Sequence, residues 1–138
     1  TLEASSAASD VYKRQNSPHL VSSIKKEPKS ELSLAPQIWD RIIFDMGQVI
    51  SHAKGTGKNA DPAIEGVKVY GKTGTAENPH GEDHAWFIGW VQYERQKFSI
   101  VVLLENSGSG GAVAAPVAKI VFDKIISAIN NSKQISLK

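Results

Sequence analysis

Residues 67–105 read VKVYGKTGTAENPHGEDHAWFIGWVQYERQKFSIVVLLE, and this stretch predicts three strands. Val67 to Thr75 alternates between apolar and polar positions, the pattern of a strand with one buried face. Asn78-Pro79-His80-Gly81 predicts a turn. Ala85 to Tyr93 is apolar on both faces, which suits a strand at the centre of a sheet. Glu94 to Gln96 makes a short connection, and Lys97 to Glu105 is a strand rich in β-branched residues. Connections this short favour antiparallel hairpins.

Helical patterns flank the strands. Pro36 suits a first helical turn, and Ile38, Ile42, Ile43, Met46, Val49 and Ile50 then fall on one face. Gly55, Thr56 and Gly57 end that helix, and residues 55–65 read as a polar loop. After the strands, Asn106–Gly111 (NSGSGG) is a glycine-rich loop, expected as a flexible connector rather than an anion site. A last helix is expected from about Ala115 to Asn130. Its polar face holds Lys119, Asp123, Ser127 and Asn130, and the rest is apolar enough to lie against the sheet. The expected fold class is therefore α/β (α+β), an antiparallel sheet flanked by helices, forming one part of a larger sandwich.

Upstream, residues 16–37 carry Pro18, Pro28 and Pro36 and read as an extended, turn-rich connection. Residues 1–15 are polar and aperiodic, and SSAASDVYKRQ (residues 5–15) resembles a translated sequencing adapter. The expected division is a disordered or non-native arm over 1–15, part of a domain over 16–131, and a tail over 132–138.

Composition removes several classes. A chain of 138 residues with 41% hydrophobic and 22% charged residues is ordinary globular protein. A net charge of +2 gives no basis for a nucleic-acid partner, and Lys25, Lys26 and Lys29 read as a solvated run. The absence of cysteine excludes disulfides, thiolate metal sites and a cysteine nucleophile. No stretch approaches the roughly 18 apolar residues of a membrane span, and the N-terminus lacks the apolar region of a signal peptide. Any export signal or anchor is expected outside this chain.

The chemistry concentrates at Gly71-Lys72-Thr73-Gly74-Thr75-Ala76. Lys-Thr-Gly-Thr on a strand is one signature of serine acyl-transfer enzymes that bind penicillin. Alone the tripeptide is weak. The continuation AENPHGEDHAWFIGW, then VVLLENSGSGG and AAPVAKIVFDKI, resembles the C-terminal part of the transpeptidase domain of class B penicillin-binding proteins of the elongation type. Met46-Gly47-Gln48-Val49 and Gly55-Thr56-Gly57 also match that family's approach to the strand. The resemblance covers about residues 16–130.

The resemblance implies a penicillin-binding, β-lactamase-like transpeptidase fold and a peptidoglycan D,D-transpeptidase. Such an enzyme attacks the D-Ala-D-Ala end of a stem peptide through a serine, and β-lactams trap its acyl-enzyme. It implies catalytic and substrate-binding roles for Lys72 and Thr75 and substrate-binding roles for Thr73 and Gly74. Lys72 would place positive charge beside the serine and the substrate carboxylate, and the hydroxyls of Thr73 and Thr75 would bond that carboxylate. Gly74 would let substrate backbone lie close, and the Thr75 N–H would form half of an oxyanion hole. No cofactor or metal is implied. Partners would be stem peptides, β-lactams and, through the full-length protein, the cell-elongation machinery. The implied location is the inner membrane, anchored by an N-terminal segment, with the catalytic domain periplasmic.

The other two signatures of the family are not convincingly present. S-x-N does not occur. S-x-x-K occurs at Ser22/Lys25, Ser23/Lys26 and Ser51/Lys54, but 15 serines and 13 lysines give roughly one or two such matches by chance. None precedes an apolar helix, so no nucleophile is assigned and the chain alone is expected to be inactive. A serine β-lactamase, a D,D-carboxypeptidase and a β-lactam sensor domain share the motif, and a non-catalytic fragment is a further alternative. Gly66 to Thr73 also fits a phosphate-loop pattern, but no buried strand precedes it and GTAENPHG does not open a helix. His80 and His84 read as loop residues rather than metal ligands. Trp39, Trp86 and Trp90 read as core rather than a stacking surface, with Trp86 and Trp90 sharing a face with Ile88.

Overall fold

The computed structural model describes residues 14–16, 28–31 and 34–136. The chain divides into two compact units, Thr1–Phe44 and Asp45–Lys138. In the first, β1 (Arg14–Asn16) pairs antiparallel with β2 (Pro28–Glu31), with an irregularity between Gln15 and Asn16. Thus Arg14 and Gln15 of the expected arm are strand residues. Residues 1–13 of the arm lie outside the described residues, as do Ser22/Lys25 and Ser23/Lys26.

Helix α1 (Pro36–Ser51) starts at the expected proline. Of its apolar stripe, Ile50 is buried and Ile42, Ile43, Met46 and Val49 are half-buried, while Ile38, in the first turn, is 47% exposed. Its end is closed by local bonds: the N–H of Gly57 donates to Val49 O, satisfying a late carbonyl that has no partner within the helix, and that of Gly55 donates to His52 O just beyond it. The loop that follows is less irregular than its polarity suggests. Lys58–Ala60 form one 3₁₀ turn, with Ala60 fully buried.

The second unit is built on β3 (Val67–Ala76), β4 (His84–Tyr93) and β5 (Gln96–Leu104). They form an antiparallel sheet in the order β3-β4-β5, with Thr73 opposite Phe87 and Phe87 opposite Val102. The doubly apolar strand is indeed central. Glu94 and Arg95 alone connect the paired Tyr93 and Gln96, and Glu94 takes φ 55°.

A single π-helical turn, Gly110–Ala114, leads into α2 (Ala115–Ser136). Ala118, Phe122 and Ile126 of α2 share one buried core with Val69, Phe87, Val91 and Val102 of the sheet. Period-2 alternation sends those four strand residues to one face, and helical periodicity brings the α2 residues to meet them. Phe87 fills the hollow left by a glycine: a Cβ at Gly71 would fall 2.5 Å from its ring.

On the opposite sheet face Trp90 is 4% exposed and stacks on Tyr70, with centroids 4.7 Å apart. Trp86 is half-buried. Ile88, grouped with them from the sequence, is 42% exposed, and Val101 beside it is 66% exposed. The main core lies on the alternate face.

α2 also runs beyond the expected end at Asn130, to Ser136. No glycine or proline interrupts residues 130–136, and tertiary contacts hold the extension. Tyr93 Oη donates to Asn130 Oδ1 at 3.1 Å, and Lys133 forms an ion pair with Glu94.

Candidate active site

The Lys-Thr-Gly-Thr segment lies in the second half of β3, and β3 is an edge of its three-stranded sheet. Alternation divides its side chains. Thr73 and Thr75 fall on the α2 side, while Lys72 and Gly74 fall on the other. Thr73 is 9% exposed, whereas Lys72 and Thr75 are exposed. The Lys72 ammonium donates to the carbonyl oxygen of Thr73.

Thr73 and Thr75 both open on one groove of about 480 Å³, whose wall also includes Lys54, Thr56, Lys58 and Ser109. Among the described residues, the charged side chains that line it are the two lysines, so their field favours an anion. Lys72 does not line it. The structure thus brings together two of the four expected site residues at the groove and leaves Lys72 and Gly74 on the far face.

Two loops hold the hydroxyl-bearing edge in place. From one side, Thr56 Oγ1 lies 2.7 Å from Thr73 Oγ1, a hydroxyl pair in which either oxygen can donate. From the other, the Gly110 N–H reaches Thr75 Oγ1 at 3.4 Å. The two loops also meet each other. Asn59 Nδ2 donates to Gly111 O at 3.0 Å, and a Cβ at Gly111 would fall 2.3 Å from Thr56 O.

The segment expected as a flexible connector is therefore anchored. The N–H groups of Ser107 and Gly108 both donate to Asp83 O, and Asn78 Nδ2 donates to Asn106 Oδ1. Asn106 N donates to His84 Nδ1 at 3.0 Å. That bond leaves the His84 proton on Nε2 and occupies one of its two metal-donor nitrogens. His80 lies in the loop before β4, its N–H donating to Asn78 Oδ1.

Sequence reasoning did not assign Thr56, Asn59 or Ser109 to the site. Gly55-Thr56-Gly57 stood out only as a family match, and a threonine far along the chain from its partner carries no periodic signal. The remaining S-x-x-K match is now placed. Ser51 is the last residue of α1, with its hydroxyl donating to Gly47 O at 3.0 Å, not the first of a buried helix. The phosphate-loop pattern is continuous strand from Val67 to Ala76, so it presents no cradle of free N–H groups.

Over residues 1–123 the chain matches the family described as penicillin binding protein transpeptidase domain. The chain belongs to that family. It is 35% identical over 133 residues to the peptidoglycan D,D-transpeptidase MrdA of Haemophilus influenzae, covering 78% of this chain and 20% of the relative. It is 32% identical over 129 residues to the peptidoglycan D,D-transpeptidase PbpA of Mycobacterium tuberculosis, covering 77% of this chain and 24% of the relative. Among solved structures it resembles Pseudomonas aeruginosa PBP2 in complex with WCK 5153, with TM-score 0.56 and 32% identity over 70% of this chain and 21% of that one. It also resembles penicillin-binding protein A of M. tuberculosis as an imipenem acyl-enzyme, with TM-score 0.56 and 30% identity over 76% of this chain and 22% of that one. The chain thus spans about a fifth to a quarter of the length of these relatives.

Proposed function

We propose that this chain forms the Lys-Thr-Gly-Thr wall of a peptidoglycan D,D-transpeptidase active site. The observation that carries the reading is the pair of hydroxyls, Thr73 and Thr75, opening on one cation-lined groove at a sheet edge. Relatives of the same family are named D,D-transpeptidases, and one is solved as an imipenem acyl-enzyme.

In this reading the two hydroxyls and the nearby lysines bind the terminal carboxylate of a D-Ala-D-Ala stem peptide. Lys72, on the other face of the strand, supplies positive charge to the reacting serine, and Gly74 leaves room for substrate backbone. The Thr75 N–H is one of two oxyanion donors, each worth on the order of 10²–10³ in rate. A serine attacks the D-Ala-D-Ala carbonyl, D-Ala leaves with the proton, and an amine of a neighbouring peptide resolves the acyl-enzyme. The serine comes from residues other than these 138. The protein works on the outer face of the inner membrane, held by an anchor outside this chain, and cooperates with the cell-elongation machinery. Among the described residues no helix is long and apolar enough to cross a membrane.

The test uses the full open reading frame that carries these residues. Incubation with a fluorescent penicillin should give a stoichiometric acyl-serine, mapped by mass spectrometry outside residues 1–138. With a D-Ala-D-Ala peptide and an amine acceptor, D-Ala release should accompany a cross-linked product. Release without cross-linking would instead mark a carboxypeptidase, and rapid hydrolysis of the penicillin a β-lactamase. No acylation at all would defeat the reading.

A further inference from the structure

We propose that Thr56 is a positioning residue for Thr73, donating its hydroxyl proton to Thr73 Oγ1 so that Thr73 in turn donates to a carboxylate in the groove. The inference rests on the functional reading above and adds a residue and a direction to it.

The geometry supplies the first half. The two hydroxyl oxygens are 2.7 Å apart, a normal O–H···O bond. Each hydroxyl has one proton, so only one of them can donate within the pair. If Thr73 donated to Thr56, its proton would be occupied and it could offer an incoming carboxylate only lone pairs, which repel it. With Thr56 as donor, the Thr73 proton is free for the anion and is polarised by the bond it accepts.

Thr56 is also well held for such a role. The turn behind it is closed by Gly57 N donating to Val49 O at 2.9 Å. On the other side Gly111 lies against its carbonyl oxygen, fixed by Asn59. Thr73, being β-branched, has few χ1 wells and is nearly buried, so the bond selects the well that aims its hydroxyl into the groove. The lysines in the groove wall, Lys54 and Lys58, give an independent reason to expect an anion there.

The test compares Thr56→Val, Thr56→Ala and Thr56→Ser in the full open reading frame, using a penicillin as free acid and as its methyl ester. Thr56 is exposed, so valine, which keeps the β-branch, should leave the melting temperature close to wild type. The Val and Ala variants should acylate roughly tenfold more slowly with the free acid, the scale of one lost hydrogen bond, and within twofold of wild type with the ester. Serine should restore the free-acid rate. Equal loss with acid and ester, no loss with either, or failure of serine to rescue would each refute the role of Thr56 while the wild-type enzyme still acylates. An inert wild type would remove the functional reading itself and this inference with it.

Discussion

Gly110 lies directly on the backbone of Gly74: a Cβ built at Gly110 would fall 2.4 Å from Gly74 O and 2.2 Å from Trp86 O. The glycine loop after β5 therefore touches the Lys-Thr-Gly-Thr strand where substrate is expected to pass. Gly110→Ala should push the two backbones apart, at a cost of about 1–3 kcal/mol for the overpacked contact. Denaturant unfolding should show the loss, and penicillin acylation should fall with it. Gly108→Ala is the control. A Cβ at Gly108 would meet nothing within 4 Å, but the residue has a φ of +88°, so alanine there should cost roughly 1–2 kcal/mol and leave the acylation rate of the folded protein unchanged.

Lys72 is exposed, and its ammonium donates to the neighbouring carbonyl of Thr73. Lys72→Met should therefore change stability by no more than about 0.5 kcal/mol. If its charge acts on the reacting groups, the acylation rate should drop roughly a hundredfold or more. Stopped-flow acylation beside a thermal melt separates the two effects. A variant that acylates normally would remove Lys72 from the site.

Phe122 is fully buried in the core between α2 and the sheet. Phe122→Ala should cost about 3–5 kcal/mol. Ile120, on the same helix, is 55% exposed, and Ile120→Ala should cost little. Comparable losses at both positions in denaturant titrations would mean that the outer face of α2 is covered in the folded protein.

The last turns of α2 are held by Tyr93 and Glu94. Tyr93→Phe removes the bond to Asn130 and should cost about 0.5–1.5 kcal/mol. Glu94→Gln removes an ion pair whose side chains are 46% and 45% exposed. That change should stay within about 1 kcal/mol and shrink in salt. Unfolding at low and high ionic strength distinguishes the two.

Much of this was readable in the amino-acid order because it depends on local repeat. Alternation in Val67–Thr75, a doubly apolar run at Ala85–Tyr93 and a largely apolar Ala115–Asn130, with Lys119, Asp123, Ser127 and Asn130 on its polar face, determine strand, central strand and covering helix. Lys72-Thr73-Gly74-Thr75 and its flanks marked the family. What only the tertiary structure decided lies where distant segments meet. The end of α2 depends on Tyr93 and Glu94, which helical periodicity does not encode. The loop expected to be flexible is ordered by Asp83, Asn78 and His84, whose bonds to residues 106–108 depend on the β4–β5 hairpin bringing the two loops together. Thr56 joins the site for the same reason: a hydroxyl 17 positions from Thr73 has no local pattern to announce it, and becomes a partner only when the loop after α1 is laid against the edge of β3.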